Sequence, residues 1–272
     1  MQDTDAFAAR PPWWNCKVSD NPFGLHGYTA STYGDAFADV YDEWYGSLGD
    51  HDLVDALVRN APPGASDILE LGVGTGRLLA RFVAARAGIP DRLAGIDTSD
   101  AMVTRARSVP SLSAAHLVTG DFSETLPPGE WDLVFCGYNT FFNLADEESM
   151  MRALVLVRSA LRDSGRLVLD AFVPGPDTGG DRVGIRSITT ESVVLTVSRH
   201  DDKEKRIIGQ FVELRNGAPV RLRPWAVRYV LPAELDTLAE RAGLRLLERH
   251  ADGSSTTFTP ESQRHVSVYR PS

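Results

Sequence analysis

Between residues 68 and 170 the chain alternates short aliphatic runs with helical patterns, and that rhythm limits the fold more than any other feature. Ile68-Leu69-Glu70-Leu71 leads into a helix predicted over 77–87, and Leu93-Ala94-Gly95-Ile96-Asp97 into one over 99–108 with Ser99 or Asp100 at its cap. His116-Leu117-Val118 ends in a Gly120-Asp121 turn; Asp132-Leu133-Val134-Phe135-Cys136 precedes a helix over 148–161; Gly165-Arg166-Leu167-Val168-Leu169-Asp170 reads as a fifth strand. Strands joined through helices need crossover connections, which set neighbouring strands parallel. A helix over 233–242 and strands at 244–249 and 265–269 extend the pattern. The expected class is α/β: a Rossmann-like, doubly wound, mostly parallel seven-stranded sheet.

After Pro174 the helices stop, and four strand-like runs follow at 183–190, 192–200, 206–215 and 220–230, with Asn216-Gly217 as a hairpin signal between the last two. Residues 176–229 are expected to form an antiparallel insert after strand five, serving as a substrate lid or as the contact surface of a homodimer. Residues 1–31, with Pro11-Pro12, Trp13-Trp14, Pro22 and Gly24, read as an irregular leader or lid. Residues 32–175 and 230–272 make up the main domain, opened by a helix over 32–45 and a second over 52–59.

The chemistry concentrates at the first strand's end, in Glu70-Leu71-Gly72-Val73-Gly74-Thr75-Gly76-Arg77. Gly72, Gly74 and Gly76 let the main chain turn sharply and approach a ligand closely, at the sheet edge where open α/β folds bind ligands. A dinucleotide fingerprint spaces its glycines G-x-G-x-x-G, whereas here the spacing is G-x-G-x-G. The acidic Glu70 ahead of the loop would repel a pyrophosphate but suits the ammonium of an aminoacyl group, so a cofactor with a positive end is favoured.

These residues resemble the class I S-adenosylmethionine-dependent methyltransferases, whose E/D-x-G-x-G-x-G loop holds the methionine part of S-adenosyl-L-methionine. The resemblance covers about 66–172 and the final helix and strands, and matches the insert in kind only. It implies that Asp97, closing the second strand, accepts from the ribose hydroxyls, that Asp121 accepts from the adenine amino group, and that Phe122 or Met102 contacts the adenine face. Each aspartate alone would also read as a helix cap or turn former. Tyr33, Tyr41 and Tyr45 are similar to the tyrosine-bearing first helix of small-molecule N-methyltransferases, including those acting on amino sugars, where such phenols cover the cofactor; plain core is the competing reading. Beside the transferring methyl the segment 137–143 is expected, with Asn139 as the group orienting acceptor or cofactor, or else opening an Asx turn.

Methyl transfer needs alignment and desolvation rather than a protein nucleophile, in keeping with a sequence that carries no Ser/His/Asp arrangement and no metal-spaced His/Cys set. His26, His200 or His250 could serve a hydroxyl acceptor as general base, while an amine needs less help. A net charge of −9 without a basic run argues against nucleic acid, and no apolar run is long enough for a membrane span, so the acceptor is expected to be small. Two cysteines, one in a predicted buried strand, and Asp3 and Asp5 where a signal peptide would be basic point to a reducing cytoplasm. Arginine and alanine bias suggests a bacterial source, and secondary-metabolite or antibiotic biosynthesis follows from the resemblance. An NAD-dependent oxidoreductase and a non-catalytic, methyltransferase-like binding protein are the alternatives.

Overall fold

The computed structural model describes residues 21–46, 49, 51–175 and 179–272; most of the expected leader, with Trp13, Trp14 and Cys16, lies outside the described residues. Five parallel strands come first: β1 (Asp67–Leu71), β2 (Arg92–Asp97), β3 (His116–Thr119), β4 (Trp131–Cys136) and β5 (Leu161–Phe172). With β10 (Leu244–His250) and β11 (Arg264–Pro271) they form one seven-stranded sheet in the order β10-β11-β5-β4-β1-β2-β3, in which β11 runs against the direction of the other six. The strands are buried on both faces because α3 (His51–Asn60), α4 (Arg77–Ala85) and α5 (Asp100–Arg107) cover one side. The other is covered by α6 (Glu147–Ala160) and α7 (Pro232–Arg241). Phe82 and Phe135 anchor the first core and Trp131, Phe142 and Tyr269 the second, all essentially inaccessible to water. Ser99 caps α5 by accepting from the Met102 amide at 3.2 Å.

The expected helix over 32–45 is two helices, α1 (Thr32–Phe37) and α2 (Tyr41–Tyr45). The break has an identifiable cause. The Ala36 carbonyl, which would accept from Val40 in a continuous helix, accepts from the Arg223 guanidinium instead, and the Val40 amide turns to Phe37 at 3.0 Å. The arginine comes from a second sheet of antiparallel order β6 (Gly180–Ile188), β7 (Ser192–Asp201), β8 (Arg206–Arg215), β9 (Arg221–Arg228), inserted between β5 and α7.

One face of this sheet is pressed onto α1 and α2. Phe211 meets Phe37 and Trp44 edge-on at 5.7 and 5.6 Å, and Arg186 lies 4.7 Å over Trp44 and 4.8 Å over Tyr45. Buried Arg223 bridges buried Glu213 at 3.0 Å and Asp39 at 2.6 Å; these carboxylates raise its proton affinity against the opposing effect of burial. Breaking a buried pair by removing one partner costs about 3–5 kcal/mol, because the survivor stays buried and uncompensated. Arg223→Ala is expected to lose stability in that range in urea unfolding, whereas Arg199→Ala, which removes the exposed pair to Asp181, should change it by less than about 1 kcal/mol. Equal losses in the two variants would refute the clamp.

Candidate active site

The glycine loop leaves β1 in left-handed backbone that ordinary residues avoid, with φ of +68° at Gly72 and +53° at Gly74. A Cβ at Gly72 would strike the Thr140 side chain, whereas one at Gly74 would meet nothing within 4 Å. Gly76 caps α4. The loop is tied to β2, since the amides of Gly72 and Val73 donate to the Ile96 carbonyl at 2.8 and 3.0 Å and that of Gly74 donates to Asp97 Oδ2 at 2.9 Å. Asp97 Oδ1 accepts from the Ser99 amide at 2.9 Å. Each carboxylate oxygen retains a lone pair for a hydroxyl donor. Burial pushes the Asp97 pKa up, against the two amides that lower it.

Above the loop opens a cavity of about 340 Å³, within the ~300–1,000 Å³ typical of small-molecule sites. Gly72, Gly74, Asp97, Met102, Asp121, Phe122, Tyr33 and Tyr41 all reach its wall. Residues expected from separate strand ends and from the first helix therefore meet in one place. Asp121 Oδ1 accepts from the Ser123 amide at 2.8 Å, so the turn-forming reading of this residue holds for one oxygen while the residue still faces the cavity. Phe23, Pro22 and Ala30 close another side; Asn21 binds the Tyr28 carbonyl and Tyr28 anchors the segment to the Ala226 amide of β9.

A narrow recess of about 20 Å³ continues past Tyr41, Gly72, Gly74 and Thr140 to Glu70 and Arg77. Glu70 is buried, its Oε2 has no hydrogen-bond partner, and burial pushes its pKa well above the ordinary carboxylate value against the pull of Arg77. An orphaned buried carboxylate opening on a recess suits an ammonium, and a guanidinium beside it suits a carboxylate: together they fit the zwitterionic end of an amino acid. Arg77 escaped the sequence reading. Its signal was a cation in the first turn of α4, where the helix dipole disfavours one.

Three expected residues reach neither the cavity nor the recess, one of them Gly76, which faces Leu112 and Ala106 instead. Asn139 sits in a left-handed turn at φ +65° with its Oδ1 accepting from the Phe172 amide at 2.6 Å, so its side chain fastens the turn to β5 rather than facing an acceptor. Thr140 and Asn143 of the same segment line the wall in its place. Tyr45 packs against Tyr41, their rings tilted with centroids 4.9 Å apart, beneath Arg186, and supports the lining tyrosines from behind. None of the candidate histidines lines the cavity: His200 is buried against the Tyr229 hydroxyl at 2.8 Å, and His250 faces Glu248. Among the described residues no group of three His, Cys, Asp or Glu is placed to hold a metal, and no helix is long and apolar enough to cross a membrane.

A family model described as "Methyltransferase domain" matches residues 68–165. The CcbJ methyltransferase from Streptomyces caelestis is 32% identical, with a TM-score of 0.79 over 90% of this chain and 100% of that one. The chain belongs to the S-adenosylmethionine-dependent methyltransferases. Its methyl donor is S-adenosyl-L-methionine, which sets aside the nicotinamide and non-catalytic readings. An S-adenosylmethionine-dependent methyltransferase from Clostridium acetobutylicum shares the fold at 15% identity and a TM-score of 0.74, covering 87% of this chain and 98% of that one. So does the sugar N-methyltransferase KedS8 from Streptoalloteichus sp., at 24% and 0.64, covering 90% and 99%. No curated sequence matches the chain.

Opposite effects of one substitution test the recess. Because burial raises the Glu70 pKa, its ionised form destabilises the free protein; that penalty is absent below about 4.5, its ordinary value, and grows as pH rises toward neutrality. Glu70→Gln should therefore raise the apo melting temperature at neutral pH and flatten its pH dependence, while weakening S-adenosylmethionine binding by roughly 10- to 100-fold, the value of a charged hydrogen bond. Calorimetric titration showing unchanged affinity would exclude the recess as the aminoacyl site. Gly74→Arg, projecting into the cavity, should abolish binding while circular dichroism stays native.

Proposed function

We propose that this methyltransferase methylates a nitrogen of a small natural-product acceptor, in a bacterial cytoplasm and in an antibiotic-type biosynthetic sequence. Glu70 and Arg77 hold the aminoacyl end of the donor, Asp97 the ribose hydroxyls, and Asp121 the adenine amino group, with Met102 and Phe122 against the ring. Tyr33 and Tyr41 form the roof, where phenol faces and hydroxyls suit a sulfonium. The acceptor enters between Phe23, Asn143 and Leu144. The formal charge of −9 supports a small molecule over nucleic acid, and CcbJ, the 32% identical relative, comes from a streptomycete.

Bound S-adenosylmethionine supplies a methyl carbon already activated by its sulfonium. What falls to the chain is to hold the acceptor in line and to keep water out, which the segment 22–30 and the two short helices do from above. Nitrogen is favoured over oxygen by one observation: among the described residues no histidine lines the cavity, and its two phenols are held protonated. Burial pushes Tyr41 up to about 12 and Tyr33 well above its ordinary value, so both stay protonated and donate rather than accept protons. Glu124 is paired with Arg152 at 3.0 Å. Burial raises the Asp146 pKa, but the Ser149 amide and hydroxyl outweigh it and hold the carboxyl low. A neutral amine attacks unaided and sheds its proton afterwards, while a hydroxyl would need a base.

For an amine acceptor, kcat/KM should climb with pH to the amine's own pKa, with no inflection near 6.5 from an enzyme histidine. Tyr33→Phe should lower kcat by about tenfold or less and leave that profile in place. Labelled donor incubated with matched amine and hydroxyl acceptors, read by mass spectrometry, should mark only the amine. Methylation of the hydroxyl partner, or a histidine-like inflection that His200→Ala removes, would overturn the assignment to nitrogen.

A further inference from the structure

Behind the two phenols that line the cavity stands a third that does not. Tyr45 packs against Tyr41 with ring centroids 4.9 Å apart. Burial raises the Tyr33 pKa, and Tyr41 and Tyr45 raise it further, so the three phenols form one group. On the far side of Tyr45 lies Arg186, brought there by an irregularity of the inserted sheet. Ile185 pairs with Leu195 and Ser187 with Val194, which leaves Arg186 as the extra residue of a bulge, and a bulge re-aims the side chain it carries. The guanidinium lies 4.7 Å over Trp44, 4.8 Å over Tyr45 and 5.2 Å over Phe211, and its Nη2 donates to the Trp44 carbonyl at 3.2 Å. That carbonyl belongs to the last turn of α2, where a helix leaves its carbonyls without intrahelical partners. Two residues on, the Gly46 carbonyl accepts from Arg81 of α4 at 2.8 Å. The C-terminal end of α2 is thus held from two sides, by the insert and by the helix that opens at the glycine loop.

We infer that Arg186 is a positioning residue for methyl transfer: by holding Trp44 and Tyr45 it fixes Tyr41 and Tyr33 over the sulfur of the donor. The inference rests on the roof proposed above for these two phenols. A helix of five residues does not keep its own shape, and Tyr41 opens α2 while Tyr45 closes it. What fixes the closing end therefore fixes the direction of the phenol at the opening end. A planar guanidinium covers three rings at once and keeps an edge for the carbonyl, which the compact ammonium of a lysine does not. Arg186 is exposed, and Tyr45 and then Tyr41 stand between it and the cavity. Water screens its charge, so it acts through the rings and not on the donor itself. A cation placed in the cavity wall at this point would instead repel a sulfonium.

S-adenosylmethionine and S-adenosylhomocysteine differ only in the methyl group and the charge on sulfur, so the ratio of their dissociation constants reports phenols placed over that charge. In calorimetric titrations of the full chain Arg186→Ala should lower the preference for the charged ligand about three- to fivefold, the scale of an exposed cation–π contact. The homocysteine form should bind as it does to the unaltered chain, with native circular dichroism. A substitution that merely loosened the fold would weaken both ligands alike and leave the ratio where it was. In a Tyr45→Leu background Arg186→Ala should have no further effect, because the path runs through Tyr45. Tyr41→Leu checks the roof itself and should lower the same ratio. If Tyr41→Leu lowers it and Arg186→Ala does not, or if the effects of Arg186→Ala and Tyr45→Leu simply add, the inference is overturned while the roof stands. If Tyr41→Leu leaves the ratio unchanged, the roof falls and the inference with it.

Discussion

A carboxylate kept in the interior with one oxygen unpartnered is a liability of several kcal/mol, and the neighbourhood of Glu70 is organised around it. The residue belongs to β1, the strand flanked by β2 and β4 where the sheet's strand order reverses and the crevice of an open α/β fold must lie. Arg77 approaches from the first turn of α4, against the preference of the helix dipole. The glycines between these two charges leave a recess that no side chain fills. On the proposed reading the cost in the free protein is recovered as binding energy for a zwitterion, and the same arrangement discriminates against pyrophosphate cofactors.

Covering that crevice is the work of residues distant in sequence. Gly34 lets α1 approach the start of α5 so closely that a Cβ would run into Ser99, and the Ser99 hydroxyl donates to Asp35 at 2.6 Å. Thr75 of the glycine loop donates to Asp42 of α2 at 2.7 Å. Helices of six and five residues are too short to be stable alone. They persist because the inserted sheet holds them from the opposite side through Arg223, Phe211 and Arg186. Among its described residues the insert therefore contributes no cavity wall of its own, and it acts on the site through the tyrosines it supports.

The alternation of strands and helices and the glycine loop were legible because each depends on residues adjacent in sequence: period, cap and turn chemistry are local. The acidic landmarks were legible for the same reason, since strand ends can be located from strand patterns. The break between α1 and α2 was not, because its cause is an arginine 187 residues away taking a single carbonyl. Asn139 looked like a site residue through its type and its place after β4, but which way an amide turns depends on what the end of β5 offers it. Alternation in Val193, Leu195 and Val197 revealed a two-faced strand without revealing which face the rest of the molecule covers.

The same turn shows how the cavity inherits its shape from the sheet. Tyr138 and Asn139 are consecutive non-glycine residues in left-handed backbone, at φ of +53° and +65°, a conformation costing on the order of 1–2 kcal/mol each. Three bonds to the end of β5 hold it. Asp170 accepts from the Tyr138 amide at 2.8 Å through its carboxylate and from the Asn139 amide at 3.0 Å through its carbonyl, and Asn139 in turn accepts from Phe172. Asp170 is itself buried and is fixed by Arg264 of β11, which also binds Asp52 of α3. Thr140 follows immediately and fills the space a side chain at Gly72 would need, so the wall opposite the glycine loop is set by the pairing of β4, β5 and β11. A rigid wall on that side leaves adjustment to the acceptor to the covering segments on the other, which are held by aromatic packing and ion pairs rather than by the sheet.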